Sequence, residues 1–221
     1  MTHPISALIF DIDGTIIDSM PYHAKSWPML FERHGIEDRM DLVNSSAGRT
    51  GPELMRAIVS DLTDERAREL ADEKELIYRE MFGPVFREIL GFKRFARDAK
   101  AARLKLALGT AGNPENIAFA IGGLEMHGFF DAAVGAADVR RGKPEPDIFL
   151  EAARRLAVPP EQCVVFEDAP LGIEAALRAG MKAIALTGTH PEHDFAAHPH
   201  VIHVCADFRD LTIDTLHRIH D

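Results

Sequence analysis

Several short apolar runs, each ending at polar or small residues and each separated from the next by a helix-like stretch, constrain this chain more than any other feature. They lie near residues 7–10, 104–110, 132–134, 163–167, 183–187 and 201–205. Each is too short for a buried helix and rich in residues that suit a strand. Helical patterns fill the intervals near 92–102, 114–121, 147–156 and 171–179, the last closed by Gly180. Helices alternating with buried strands imply a parallel, doubly wound α/β sheet. Open sheets of this kind carry their chemistry at the C-terminal ends of the strands. Polar residues follow the runs at those ends: Asp11 and Asp13 after the first, Thr110 at the end of the second, Glu167-Asp168 after the fourth.

The first run delivers Phe10-Asp11-Ile12-Asp13-Gly14-Thr15. Carboxylates one residue apart on an extended chain point to opposite faces, so these two converge only if the chain turns, and Gly14 permits a turn. Taken alone, the fragment also reads as an ordinary surface turn.

Between this strand and the next, residues 16–90 read as helical. Pro21 suits the first turn of a helix running to about His34 and ended by Gly35, with His23, Trp27 and Leu30 on one face and a kink at Pro28. Residues 45–51 are small and read as a loop, and Pro52 opens a short helix over 53–60. A longer helix has Thr63 as N-cap, Asp64 and Glu65 in its first turn, and a stripe of Ala67, Leu70, Ala71, Ile77, Tyr78 and Met81. Lys74 is the polar intruder on that stripe, either snorkelling at its edge or reaching into a cleft. The expected organisation is a core of residues 1–17 and 88–221 with an inserted helical cap of residues 18–87, hinged near 16–20 and 84–91.

At 221 residues the chain can bury a full core, and 46% hydrophobic with 27% charged residues is ordinary for a soluble globular protein. A formal net charge of −10 with no basic stripe argues against nucleic acid or an anionic membrane as partner. Cys163 and Cys205 lie in apolar runs and read as reduced core thiols. With no signal-like N-terminus and no membrane-length apolar segment, a cytoplasmic location is expected. Residues 188–199, with three histidines and two prolines, read as a surface loop rather than a metal site.

Three further stretches complete a pattern: Thr110 at the second strand end, Gly142-Lys143-Pro144-Glu145-Pro146-Asp147-Ile148-Phe149, and Phe166-Glu167-Asp168-Ala169-Pro170-Leu171-Gly172-Ile173-Glu174-Ala175-Ala176. Together with Phe10-Asp11-Ile12-Asp13-Gly14-Thr15, and in this order, they resemble the haloacid dehalogenase-like superfamily of aspartyl phosphotransferases, and within it the β-phosphoglucomutase-like branch. The resemblance covers almost the whole chain. It implies that Asp11 is a nucleophile forming an aspartyl-phosphate and Asp13 the general acid and base. It implies a magnesium ion held by Asp11, the Asp13 carbonyl and Asp168, with Glu167 behind them, a set that suits a hard octahedral cation. Thr110 and the Ala111 N–H would donate to phosphoryl oxygens, and Lys143 would stand between nucleophile and phosphate. In the cap, His23, Arg49 and Lys74 match positions that reach the active site and a distal phosphate in β-phosphoglucomutases. Dehalogenases resembling this family lack the second acid, which disfavours dehalogenation here.

Two activities then compete: a phosphatase acting on a small phosphorylated metabolite such as a sugar phosphate, and a β-phosphoglucomutase that shields the same intermediate from water. His23 and Arg49 favour the mutase. Asn113, in the substrate-binding stretch 110–113, lacks the positive charge that mutases carry there, which favours the phosphatase. A phosphonate hydrolase using a cap lysine is disfavoured, because no lysine occurs between Lys25 and Lys74. A non-catalytic scaffold is disfavoured because every motif acid and the lysine are present. Nothing in the composition demands an obligate interface, so a monomer or weak oligomer is expected.

Overall fold

The computed structural model describes residues 4–45 and 50–220. Its centre is a six-stranded parallel sheet built from β1 (Ala7–Phe10), β2 (Lys105–Gly109), β3 (Ala132–Val134), β4 (Cys163–Glu167), β5 (Lys182–Leu186) and β6 (Val201–Cys205), in the spatial order β3-β2-β1-β4-β5-β6. The order reverses at β1, so the chain winds outward in both directions from the first strand. The crevice at such a reversal is where ligands bind.

Period-two alternation assigns each strand residue to a face. Leu8, Phe10, Leu106, Leu108, Val164 and Phe166 join one buried cluster with Phe92, Phe95 and Ala99 of α5 (Phe92–Ala101), Ala120 of α6 (Pro114–Gly123) and Leu216 of α9 (Ile213–His220). Ala7, Ile9, Ala107, Cys163 and Val165 join a second with α7 (Asp147–Leu156) and α8 (Pro170–Arg178). The first face is aromatic: Phe10 stacks on Phe166 at 4.7 Å and meets Phe92 edge-on at 5.3 Å. A fully buried side chain of this kind contributes about 1.5–3 kcal/mol relative to exposure.

The register decides what reaches the site. Phe10 lies opposite both Leu108 of β2 and Phe166 of β4, so the three central strands end within one residue of one another. Asp11 continues the ladder by one bond, its N–H donating to Phe166 O at 3.0 Å. The residues just past each strand therefore emerge side by side.

Among the described residues, four α-helices stand between β1 and α5: α1 (Met20–His34), α2 (Met40–Ser45), α3 (Gly51–Ile58) and α4 (Asp64–Phe82). They share an apolar core of their own, including Trp27, Leu30, Phe31, Leu54, Met55, Ile58, Leu70 and Ile77. The predicted N-cap is present, Thr63 Oγ1 accepting from Arg66 N–H at 3.2 Å. Helix α1 runs through Pro28 as one element.

Several expectations change. Residues 16–90 are not helical throughout: Ile89 N–H donates to Ile16 O at 2.9 Å and Asp18 N–H to Arg87 O at 3.1 Å, so both chain crossings between sheet and lobe pair as an antiparallel ribbon. Ile16 and Ile17 are wholly buried there, and β-branched residues suit that extended geometry. Most of the expected loop over 45–51 lies outside the described residues, which omit 46–49 and with them Arg49; of its ends, Ser45 belongs to α2 and Gly51 to α3. Among the described residues no helix is long and apolar enough to cross a membrane.

Candidate active site

Asp11, Lys143, Glu167 and Asp168 meet at the ends of the central strands and are 6%, 2%, 1% and 3% exposed. Lys143 Nζ donates to Asp11 Oδ1 at 2.6 Å and also to Glu167 Oε1. Glu167 Oε2 accepts from Ala169 N–H at 2.8 Å, which fixes its carboxylate behind the lysine. Two motif glycines make room: a Cβ at Gly172 would overlap the Glu167 carboxylate, and one at Gly14 would overlap that of Asp168. Gly14 also has φ +80°, the left-handed turn that its position after the two acids predicts.

Three buried carboxylates share one ammonium. Burial works against the charge on Lys143, but Asp11 and Glu167 outweigh it and hold the pKa above the usual lysine value. Burial pushes Asp11 well above the usual carboxylate range; Lys143 opposes this, while Glu167 and Asp168 add to it. Burial and then Glu167 raise Asp168 to about 7, against the hydroxyls of Thr189 and Thr15. Such an excess of buried negative charge calls for a further cation.

The chemistry of the donors fits magnesium. Asp11 and Asp168 offer carboxylate oxygens, and the Asp13 carbonyl has no hydrogen-bond partner among the described residues. Among those residues no group of three His, Cys, Asp or Glu side chains forms a metal cage. Two carboxylates and one carbonyl leave the remaining octahedral positions to water and phosphate, as magnesium prefers.

Donors for an anion stand opposite. Thr110 is buried at the end of β2, and its Oγ1 accepts from Gly112 N–H at 3.1 Å, leaving its own proton to donate. The N–H groups of Ile12, Asp13 and Ala111 find no partner among the described residues. A carboxylate facing hydroxyl, amide and ammonium donors can accept and hold a transferring phosphoryl group.

Asp13 faces the other way, toward the helical lobe. Its Oδ1 accepts from Ser19 Oγ at 2.7 Å and from Tyr78 OH at 3.1 Å, and His23 Nε2 lies 2.9 Å away without the alignment of a hydrogen bond. Burial would raise its pKa, but His23, Ser19 and Lys74 together lower it to about 2. Tyr78 stacks on His23 at 3.7 Å, and burial followed by the charge on Asp13 raises its phenol pKa.

Lys74 does not snorkel to solvent: it is buried and reaches into the cleft. Its Nζ lies over the rings of Trp27 and Tyr78, 5.0 and 5.7 Å from their centroids, and reaches His23 Nδ1 at 2.5 Å and Glu75 Oε1 at 3.0 Å. Glu75 Oε2 accepts from Asn116 Nδ2 at 2.7 Å, and Asn116 Oδ1 accepts from Arg79 at 2.6 Å. This buried amide bolts α4 to the start of α6.

One cavity of about 540 Å³ is lined by Asp11, Asp13, His23, Lys74, Thr110, Ala111, Lys143, Glu167 and Asp168. Those predicted residues are brought together. Asn113 is not among the lining: it caps α6 by accepting from Asn116 N–H at 2.9 Å and donates Nδ2 to Asp72 at 3.2 Å. Sequence reasoning missed Thr15, Ser19, Glu75, Asn116, Thr189 and His190 as members of the site. The expectation of a plain surface loop over 188–199 fails at its start, where Thr189 and His190 fold onto Asp168, and at Phe195, which is buried.

Fold and site together put the chain among α/β enzymes that move phosphoryl groups. The model for the haloacid dehalogenase-like hydrolases matches residues 5–180, and the chain belongs to that family. It is 35% identical over 180 residues to the fructose-1-phosphate phosphatase YqaB of Escherichia coli (strain K12), an alignment covering 81% of this chain and 95% of that one. It is 30% identical to the β-phosphoglucomutase of Bacillus subtilis (strain 168) over 221 residues, 96% and 94% of the two chains. The crystal structure of β-phosphoglucomutase from Clostridium difficile superposes with a TM-score of 0.85 at 25% identity, covering 98% and 97%. The chain is accordingly a phosphatase or phosphomutase of the β-phosphoglucomutase-like branch.

Proposed function

We propose that this chain is a magnesium-dependent phosphatase that hydrolyses a small sugar phosphate through an aspartyl-phosphate on Asp11. The observation that carries the chemistry is the buried pairing of Asp11 with Lys143 at 2.6 Å beside Asp168, at the level where Thr110 leaves β2. In the first half-reaction an Asp11 oxygen forms a bond to phosphorus, the ester P–O bond breaks, and the leaving oxygen takes a proton from Asp13. In the second, water attacks phosphorus, Asp13 takes its proton, and the bond to Asp11 breaks to release phosphate. Asp13 held as a carboxylate near pKa 2 suits the second half. His23, with Nε2 2.9 Å from it, is the group placed to share the proton used in the first. Lys143, Thr110 and the Ile12, Asp13 and Ala111 amides offset charge on the transferring group.

Asp11, the Asp13 carbonyl and Asp168 would hold magnesium, which supplies positive charge for the phosphoryl oxygens. Residues 18–87 would serve as the cap that excludes water, residues 1–17 and 88–221 being the core. The phosphatase is favoured over the mutase because the stretch that would hold a second phosphate offers little charge: Gly112 has no side chain, and the Asn113 amide is engaged by Asp72. The E. coli and B. subtilis relatives bear one activity each and support either.

The test is phosphate release from a panel of sugar phosphates with and without magnesium, beside a β-glucose 1-phosphate assay containing glucose 1,6-bisphosphate and coupled to glucose 6-phosphate detection. Rapid magnesium-dependent phosphate release is expected. Glucose 6-phosphate formed with little free phosphate would make the chain a mutase.

A further inference from the structure

Asp168 is held by three residues, two of them in the loop after β5. Thr15 Oγ1 donates to Asp168 Oδ1 at 3.1 Å, and Thr189 Oγ1 is hydrogen-bonded to Oδ2. His190 Nδ1 lies 2.9 Å from the Asp168 backbone oxygen. A carbonyl oxygen only accepts, so Nδ1 carries the proton and His190 donates. Each Asp168 oxygen, backbone and side chain, thus has a protein donor. A carboxylate has about four lone-pair sites, so two hydroxyl donors still leave two for a cation.

The arrangement is built rather than incidental. β5 lies beside β4, so a chain leaving β5 reaches the end of β4 within a few residues. Gly188 comes close to Gly14, a Cβ on it standing 3.7 Å from Gly14 O, and Gly14 in turn leaves the space that Asp168 fills. Thr15 and Thr189 grip the two carboxylate oxygens from different loops, which leaves the group little freedom to rotate.

We propose that Thr189 and His190 are positioning residues for Asp168, fixing the carboxylate that holds the divalent cation and so setting cation affinity. The inference rests on the metal reading given under Proposed function. Partners that orient a metal ligand through hydrogen bonds matter in proportion to that restraint; losing one costs roughly 10–100-fold in metal affinity. Thr189→Val keeps the shape and removes the hydroxyl, whereas Thr189→Ser keeps the hydroxyl.

The experiment is calorimetric titration of magnesium chloride into the wild type, Thr189→Val, Thr189→Ser and His190→Ala, with thermal unfolding in EDTA as the folding control. Thr189→Val should raise the magnesium Kd about tenfold or more, Thr189→Ser should restore wild-type affinity, and His190→Ala should weaken binding in the same direction. Should Thr189→Val fail to fold, His190→Ala carries the test. A folded Thr189→Val or His190→Ala that binds magnesium as the wild type does overturns the inference alone. A folded wild type that binds no magnesium overturns it together with the metal reading.

Discussion

Asp11 and Asp13 are two residues apart and belong to different halves of the site. Asp11 is fixed by strands: its N–H extends the β1–β4 ladder, and its carboxylate meets a lysine fixed by Glu167 from the end of β4. Asp13 is fixed by side chains, with Ser19 and His23 arriving from the start of α1 and Tyr78 from α4. The first half is set by sheet register at the ends of β1 and β4. The second is complete only while the lobe rests on the core, a docking held by the Asn116 amide between Glu75 and Arg79 and by Asn113 on Asp72. The difference shows in charge: burial is the largest influence on both and raises both, but at Asp11 it prevails, whereas at Asp13 His23, Ser19 and Lys74 together outweigh it and bring the pKa to about 2.

The strand half can be broken outright. Asp11→Asn should cut turnover by about 10⁵-fold or more while circular dichroism and thermal unfolding report an intact fold; a folded variant that still turns over contradicts the assignment. Lys143→Met leaves Asp11 and Glu167 buried without their cation and should cost about 3–5 kcal/mol of stability, read from urea unfolding in EDTA.

In the helix half the effects are smaller and depend on pH. His23→Ala should lower turnover by about 10²–10⁴-fold. The folded-state pKa of Asp13 lies below its ordinary value of 3.8, so the stability it contributes is present above about pH 4 and is lost as pH falls toward 2. That contribution is about 2 kcal/mol, and acid unfolding of His23→Ala should begin at higher pH than in the wild type. Asn116→Ala, which strips partners from Glu75 and Arg79, should cost about 1–3 kcal/mol and raise KM for a sugar phosphate more than for a small aryl phosphate. Equal effects on the two substrates would mean that docking of the lobe has no part in recognition.

The same division governs what could be read from the sequence. The strands were legible because period and punctuation coincide: the apolar run 163–166 ends where the polar pair Glu167-Asp168 begins. The acids and Lys143 followed from those ends. Helix α4 was legible from its cap and stripe, but the partners of Lys74 were not, because helical spacing fixes a face and not how deep a flexible ammonium sits. Glu75 gave no signal beside that stripe, and its burial depends on Asn116 from the far side of the cleft. Helix α2 is six residues long and only partly buries Met40, Leu42 and Val43, too short a stretch to show a helical period. Thr189 and His190 lie in a loop, where a hydroxyl that grips a carboxylate obeys no period at all.

The most direct test of the account is to trap the phosphorylated enzyme. Acid quenching during turnover of a ³²P-labelled sugar phosphate with magnesium should leave hydroxylamine-labile label on the wild-type protein, mapping to the peptide that contains Asp11 and absent from Asp11→Asn. Turnover that never labels Asp11, under conditions where hydrolysis of the intermediate is slower than its formation, would contradict it.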